Sequence, residues 1–138
     1  MDGEIVALAT ARGESPVGAA QVPQGYSGHA HARAAGKLLL AMVEPAVREA
    51  YLAKHPLDAR TNKTITDPDE LMREFERIRS QGYAVDHEEF HQGLQCLAVP
   101  VEGLGGRFVL GISVPKQRFD ENFERYLAVL LNAAKING

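Results

Sequence analysis

The sequence lacks a second cysteine, a long apolar run and a basic patch, and each absence excludes a class of protein. Cys96 is the only cysteine among 138 residues, so no intramolecular disulfide framework can form and a reducing cytoplasm is the expected location. No apolar run approaches the roughly 20 residues of a membrane-spanning helix, and the first residues lack the basic segment of a signal peptide. Because the formal net charge is −3 and the basic residues are scattered, we expect this chain to bind neither nucleic acid nor membranes by itself.

Apolar periodicity and turn residues instead predict a single α+β domain over residues 1–138. The predicted strands cover residues 4–11, 16–22, 83–88, 94–101 and 107–115. The predicted helices cover residues 31–43, 45–54 and 67–82, with a last helix that begins at Asp120. The strands at 94–101 and 107–115 are expected to form a hairpin, so the element order indicates an antiparallel sheet with helices packed against it.

The helix at 67–82 has the strongest local signals. Asp67 is a suitable N-cap, Pro68 suits the first helical position, and Gly82 is a natural stop. The inward stripe of this helix is expected at Leu71, Phe75 and Ile78. The corresponding stripe of the last helix is expected at Phe123, Leu127, Leu130 and Ala134.

The string HEEFH at residues 87–91 matches the H-E-x-x-H pattern of zinc proteases. In such an enzyme His87 and His91 would bind zinc from one face of a helix, with Glu88 placed over the metal-bound water. Here strand-like runs flank the string and Gly93 follows it closely, so a strand end and a turn are favoured. A zinc-dependent hydrolase stays open as an alternative that metal analysis would decide.

The other reactive residues give weaker signals. His29 and His31 form an H-x-H pair, but no second pair with suitable spacing is specified, so we predict no metal and no cofactor. Cys96 lies in an apolar strand, where a small buried side chain is more typical than a nucleophile. We therefore expect no enzymatic activity.

Three polar or weakly polar residues, Asp86, Cys96 and Ser113, lie on three predicted strands among apolar neighbours. A buried polar group without a partner costs about 1–3 kcal/mol, so these side chains are expected either to bond with one another or to converge on a small ligand. The start of the helix at 31–43 would offer unpaired N–H groups to an acidic ligand. A ligand-free dimerisation module is the alternative if the interior is fully packed.

Four segments resemble the effector-binding domain of IclR-type transcriptional regulators: HARAAGKLLLA at 31–41, TITDPDEL at 64–71, RIRSQGYAVDHEEFHQGLQCLAVPV at 77–101 and GISV at 111–114. The resemblance implies a GAF/PAS-like domain that senses a small organic molecule, often a carboxylic acid. It also implies a longer protein in which a separate winged helix-turn-helix binds operator DNA as a dimer or tetramer. By this resemblance, the upstream first strand and the DNA-binding domain are absent from the present chain.

The resemblance places an effector pocket at Ala34, Ala35, Asp86, Leu94, Cys96, Ser113 and Pro115. Two positions depart from the family pattern. Arg33 stands where a small Ser or Thr is usual, and we expect its side chain to be exposed, the alternative being a pair with a ligand carboxylate. Pro115 stands where a second serine often supplies a hydrogen-bond donor, which argues against the smallest oxo-acids as effectors.

Overall fold

The computed structural model describes residues 28–103 and 108–135, in which helices precede and follow a three-stranded sheet. A 3-10 turn at Ala30–Ala32 leads into the helices α1 (Ala34–Met42), α2 (Pro45–Lys54) and α3 (Pro68–Gln81). The strands β1 (Ala84–His87), β2 (Leu94–Pro100) and β3 (Val109–Pro115) then form an antiparallel sheet in the order β1-β2-β3, and helix α4 (Lys116–Ala133) follows. The α+β prediction and the β2–β3 hairpin are confirmed, whereas the strands predicted at 4–11 and 16–22 lie outside the described residues.

Helix α3 has the caps and the buried stripe that its sequence predicts. The side chain of Asp67 accepts a hydrogen bond from the backbone N–H of Asp69 at 3.3 Å, and Pro68 is the first helical residue. At the other end, Gly82 has a φ of 87°, a left-handed conformation that favours glycine, and its N–H donates to the carbonyl of Ile78 at 2.8 Å. The predicted inward residues Leu71, Phe75 and Ile78 are all buried.

The sheet separates two apolar cores because successive side chains of a strand point to opposite faces. One core joins α1, α2 and α3 to the sheet face that carries Ala84, Cys96 and Ala98. The second core joins α4 to the opposite face, which carries Val85, Leu97 and Val99. Within the described residues, no helix is long and apolar enough to cross a membrane.

Two helix starts differ from the predictions. The predicted helix at 31–43 begins as an α-helix only at Ala34, because His29 has a positive φ of 50° and a 3-10 turn intervenes. Helix α4 begins at Lys116 rather than at Asp120, directly after Pro115. The helix is kinked at Asn122, where φ is −128° and ψ is 20°, so its longer part follows Asp120 closely. The Asp120 carboxylate accepts hydrogen bonds from the Lys116 Nζ at 2.8 Å and from the Gln95 side chain at 2.9 Å. The inward stripe of α4 is as predicted: its four residues belong to the second core, Leu130 and Ala134 buried, Phe123 and Leu127 partly buried.

Candidate functional site

Asp86, Cys96 and Ser113 lie side by side in one row across the three strands. Asp86 is the register partner of Cys96, and Cys96 is the register partner of Ser113. Residues opposite each other in antiparallel strands point to the same face, which here is the face packed against α1 and α3. The Cys96 Sγ and the Ser113 Oγ form a hydrogen bond at 3.0 Å. The structure thus brings together the three residues that the sequence placed on separate strands.

Asp86 is the electrostatically unusual member of this row. Its side chain is 1% exposed, and its Oδ1 accepts a hydrogen bond from the backbone N–H of Glu89 at 2.5 Å. Its Oδ2 is buried without a hydrogen bond of good geometry among the described residues. Burial, and secondarily the nearby negative charge of Glu89, raise the pKa of Asp86 from 3.8 to about 7. The hydrogen bond from the Glu89 N–H, the positive charge of Lys37 and, least, a hydrogen bond with the Cys96 thiol act in the opposite direction without cancelling this rise. Asp86 can therefore be neutral near physiological pH and offer an O–H donor.

Cys96 is not arranged as a nucleophile. Burial of the thiol, together with the negative charge of Asp86, raises the pKa of Cys96 to about 12, although the residue as a whole is partly exposed. A nucleophilic cysteine needs the thiolate form, which a neighbouring cation or base usually stabilises. A carboxyl group and a hydroxyl group are its neighbours here, so the position suits ligand contact and not covalent chemistry.

The other four residues of the predicted pocket lie on the same side of the sheet. Leu94 and Pro115 are register partners two residues along from the Cys96–Ser113 pair. Ala34 and Ala35 form the first turn of α1 and belong to the core that includes Cys96. The seven predicted residues therefore lie on α1 and on the sheet face that it covers, with small side chains on the helical side.

Arg33 differs from its prediction. Its side chain is 7% exposed, and its Nε donates a hydrogen bond to the carbonyl of Gly28 at 3.0 Å. The expectation of an exposed Arg33 was wrong because the 3-10 turn at Ala30–Ala32 turns the chain so that this side chain is covered. This hydrogen bond joins Arg33 to the segment that precedes α1.

A buried ion-pair cluster next to Asp86 was missed by the sequence reasoning. Lys37 is fully buried, and its Nζ donates hydrogen bonds to Glu74 at 2.7 Å, to Glu89 at 2.9 Å and to the carbonyl of Val85 at 2.8 Å. Glu89 also accepts a hydrogen bond from the N–H of His87 at 3.0 Å. Two backbone groups on the outer edge of β1, the carbonyl of Val85 and the N–H of His87, thus bond to the side chains of Lys37 and Glu89 and not to another strand. The cluster joins α1, α3 and the turn after β1. Glu89 also links it to Asp86, because the Glu89 N–H donates a hydrogen bond to the Asp86 Oδ1.

The HEEFH string does not form a helix. His87 is the last residue of β1, and residues 88–91 are bends. The His87 ring forms a hydrogen bond of 3.1 Å with Gln95, while His91 is exposed and its Nδ1 bonds to the carbonyl of Gln92 at 2.8 Å. Glu88, the glutamate that the zinc motif would use, forms an ion pair with Lys63 at 2.9 Å and accepts a hydrogen bond from the N–H of Gly93 at 3.0 Å. In the part of the chain that the structure describes, no group of three or more His, Cys, Asp or Glu side chains is arranged to hold a metal ion.

A groove elsewhere on the domain does not include the row. It runs between α3, the edge of β1 and the start of α4, and is lined by Glu74, Arg77, Gln81, Tyr83, Val85, His87, Phe119, Asp120 and Phe123. Its lining residues Tyr83 and Val85 belong to the core between the sheet and α4, on the face opposite the row. We regard the row as the better candidate site because a buried carboxyl oxygen without a hydrogen bond of good geometry is a stronger sign of a missing ligand than an open surface groove.

A model of the family "Bacterial transcriptional regulator IclR C-terminal" matches residues 4–136. The chain belongs to this family. The expectation drawn from the four sequence segments is therefore confirmed, and the family membership accounts for most of the chain.

Individual members of the IclR family are similar in sequence and in structure. The chain is 39% identical over 92 residues to the regulator BhcR of Paracoccus denitrificans, covering 67% of this chain and 33% of that protein. It superimposes on the Thermotoga maritima IclR with a TM-score of 0.85 and 34% identity, covering 97% of this chain and 55% of the other. The inducer-binding domain of a PobR double mutant from Acinetobacter, solved with 3-hydroxybenzoic acid, gives a TM-score of 0.75 and 26% identity, covering 88% and 71%. The chain spans about a third of the length of the curated relatives that it matches.

Proposed function

We propose that the chain is a non-catalytic sensor domain that binds a small organic acid between α1 and the Asp86–Cys96–Ser113 row. The observation that supports this most directly is the buried Oδ2 of Asp86, which has no hydrogen bond of good geometry among the described residues. The side chain that interacts with this carboxyl group is the Cys96 thiol, a weak donor that also bonds to Ser113. A fully packed dimerisation module would be expected to satisfy this atom with its own groups. The ligand is a carboxylate in this proposal, because a neutral Asp86 donates a hydrogen bond and the first amides of α1 have no acceptor inside the helix.

The composition of the site favours a ligand with an apolar body. Ser113 is the one hydroxyl of the row, and its register neighbourhood includes Leu94 and Pro115, which offer no side-chain donor. The smallest oxo-acids need several hydrogen bonds and have little apolar surface to bury. An aromatic or branched acid would fit better, and the complex of the related PobR domain with 3-hydroxybenzoic acid gives a practical first probe.

In the complete regulator, we propose that ligand binding changes the affinity of a separate domain for operator DNA. A ligand achieves this only if it binds one state of the regulator more tightly than the other. The relatives named as HTH-type regulators support such an arrangement, in which this domain itself has no contact with DNA. The cytoplasm is the proposed location and a dimer or tetramer the proposed assembly of that longer protein.

The binding proposal is tested by thermal unfolding and calorimetry with 3-hydroxybenzoate, benzoate and pyruvate. We expect one of the aromatic acids to raise the melting temperature more than pyruvate does. Asp86→Ala and Ser113→Ala should each weaken the binding of that acid by about tenfold or more, since a lost hydrogen bond costs about 0.5–1.5 kcal/mol and an unpaired partner costs more.

Matched controls separate the site from general destabilisation. Asp58→Ala and Ser80→Ala change the same residue types at exposed positions and should leave the affinity unchanged. If the two row variants bind the acid as tightly as the wild type, the site assignment is wrong.

A further inference from the structure

The peptide group between Glu88 and Glu89 connects Asp86 to the loop between α2 and α3. Its N–H, which belongs to Glu89, donates a hydrogen bond to the Asp86 Oδ1 at 2.5 Å. Its carbonyl, which belongs to Glu88, accepts a hydrogen bond from the Thr61 Oγ at 2.6 Å. The Thr61 Oγ in turn accepts one from the backbone N–H of Lys63 at 3.0 Å. A single peptide group thus links a side chain of the loop to the carboxyl group of the candidate site.

The hydrogen bonds through this peptide group all run in one direction. The Lys63 N–H donates to Thr61, the Thr61 hydroxyl donates to the peptide carbonyl, and the peptide N–H donates to Asp86. Groups joined in such a series polarise one another, so each bond strengthens the next. Loss of the Thr61 hydroxyl should therefore weaken the bond that the Asp86 carboxyl group receives.

The backbone conformation of Glu88 gives the peptide group its orientation. Glu88 has a φ of 60°, in the left-handed region that residues other than glycine seldom adopt. Its carboxylate is bound by the Lys63 Nζ at 2.9 Å and by the N–H of Gly93 at 3.0 Å. Such a conformation persists where the surrounding contacts determine it. The contacts that Glu88 makes with Thr61, Lys63 and Gly93 meet this condition.

The α2–α3 loop, residues 55–67, holds the turn after β1 at more than one point. Three successive carbonyls of the turn accept hydrogen bonds from loop side chains: that of Glu88 from Thr61 at 2.6 Å, that of Glu89 from Thr64 at 2.5 Å and that of Phe90 from Arg60 at 3.3 Å. Of these carbonyls, that of Glu88 shares its peptide group with the N–H that binds Asp86. Thr64 and Arg60 should therefore keep the turn in place when the Thr61 hydroxyl is removed.

We propose that Thr61 is a positioning residue for Asp86, which acts through the Glu88–Glu89 peptide group to hold the Oδ1 atom and so to direct the Oδ2 atom toward the bound acid. A carboxyl group is planar, so fixing one oxygen restricts the direction of the other. The Oδ2 atom is the one that is buried without a hydrogen bond of good geometry among the described residues. This role depends on the proposed function, because Oδ2 is the atom assigned there to the ligand.

The first test uses the chain without ligand. In proton–nitrogen NMR spectra the amide proton of Glu89 reports its bond to Asp86, because a stronger hydrogen bond moves the resonance downfield and protects the proton from exchange. Thr61→Val removes the hydroxyl but keeps the shape of the side chain, so it should move this resonance upfield and speed its exchange. Thr61→Ser keeps the hydroxyl and should restore the wild-type resonance. Thr66→Val makes the same change at an exposed position of the loop and is the matched control.

The second test is calorimetry with 3-hydroxybenzoate, at a temperature at which thermal unfolding shows every variant to be folded. Thr61→Val should bind this acid about threefold to tenfold more weakly than the wild type, the range that corresponds to one hydrogen bond. Thr61→Ser and the control Thr66→Val should bind it as tightly as the wild type.

The two tests separate this role of Thr61 from the proposed function. If the wild type binds the acid and Thr61→Val binds it equally well, or if Thr61→Ser is no better than Thr61→Val, the role of Thr61 is wrong and the proposed function stands. An unmoved Glu89 resonance in Thr61→Val also overturns the role, with or without ligand. If the wild type binds neither 3-hydroxybenzoate nor benzoate, the proposed function fails, and the Glu89 resonance still decides whether Thr61 positions Asp86.

Discussion

Asp86 is buried, and its surroundings in the fold favour the neutral form of its carboxyl group over the ionised form. Its pKa in an unfolded chain is near 3.8, and in the fold it is raised to about 7 by burial and by the charge of Glu89. A raised pKa means that the folded state holds the proton more tightly than the unfolded state does. The stability associated with Asp86 is therefore highest below pH 4 and decreases as the pH rises to about 7.

Replacing Asp86 by Asn tests this residue directly. The amide resembles the protonated carboxyl but cannot ionise, so Asp86→Asn should gain stability relative to the wild type as the pH rises from about 4 to about 7. The gain should be as much as a few kcal/mol, because one pKa unit corresponds to about 1.4 kcal/mol. Urea unfolding at about pH 5 and about pH 8 measures it. Asp58→Asn, at an exposed position, is the control, and an equal effect of Asp86→Asn at both pH values would contradict the prediction.

Lys37 shows why the position of a single charged residue is hard to predict from the sequence. Charged residues are usually exposed, yet the Lys37 side chain is fully buried because Glu74 and Glu89, 37 and 52 positions away, surround its ammonium group. A signal was present: Lys37 lies on the α1 stripe that also carries Ala34, Leu38 and Ala41, all of them buried. The partners could not be inferred because they come from distant elements.

At the scale of elements, predictions were accurate where the signals were local. Helix α3 has its N-cap, first-turn proline and C-terminal glycine within its own sequence, and the observed bounds Pro68–Gln81 agree with them. The predicted start of the last helix at Asp120 lies near the kink at Asn122, after which the longer part of α4 runs, and the first turn from Lys116 was missed. The chain turns directly from β3 into the helix after Pro115, and Asp120 then pairs with Lys116 on the helix surface.

Gly36 is required by the contact between α1 and the turn before it. A Cβ at this position would lie 2.4 Å from the carbonyl oxygen of Ala30 and 2.6 Å from its Cα. Glycine to alanine inside a helix usually stabilises by about 0.8–1.0 kcal/mol. At Gly36 we expect the opposite sign, a destabilisation of about 1–3 kcal/mol, because backbone atoms must move.

The Gly36 prediction is checked by urea unfolding of Gly36→Ala beside Ser80→Ala. Ser80 is exposed on α3, where alanine should add a few tenths of a kcal/mol through its higher helix propensity. Stabilisation by both substitutions would show that α1 and the turn at Ala30 are not in close contact.

At the scale of the whole molecule, the site depends on strand register. The sequence indicated that Asp86, Cys96 and Ser113 lie on three strands, and the resemblance to the family grouped them in a pocket. Only the register makes them neighbours: a shift of one residue in any strand would move its member to the face covered by α4. The buried Lys37–Glu89 pair, which lies beyond any local pattern, holds the edge of β1 where this row begins.

Ligand binding should therefore be linked to proton binding of the domain. If a carboxylate binds opposite the neutral form of Asp86, an ionised Asp86 must take up a proton first. Above about pH 7 the affinity of wild type for its acid should fall about tenfold for each pH unit, whereas below that pH it should be nearly constant. Calorimetry across this range, in buffers of different ionisation enthalpy, measures both the affinity and the proton uptake. Asp86→Asn should bind with an affinity that no longer changes with pH, because its amide donates a hydrogen bond throughout. An equally steep dependence in this variant would mean that another group supplies the proton and that Asp86 does not face the carboxylate.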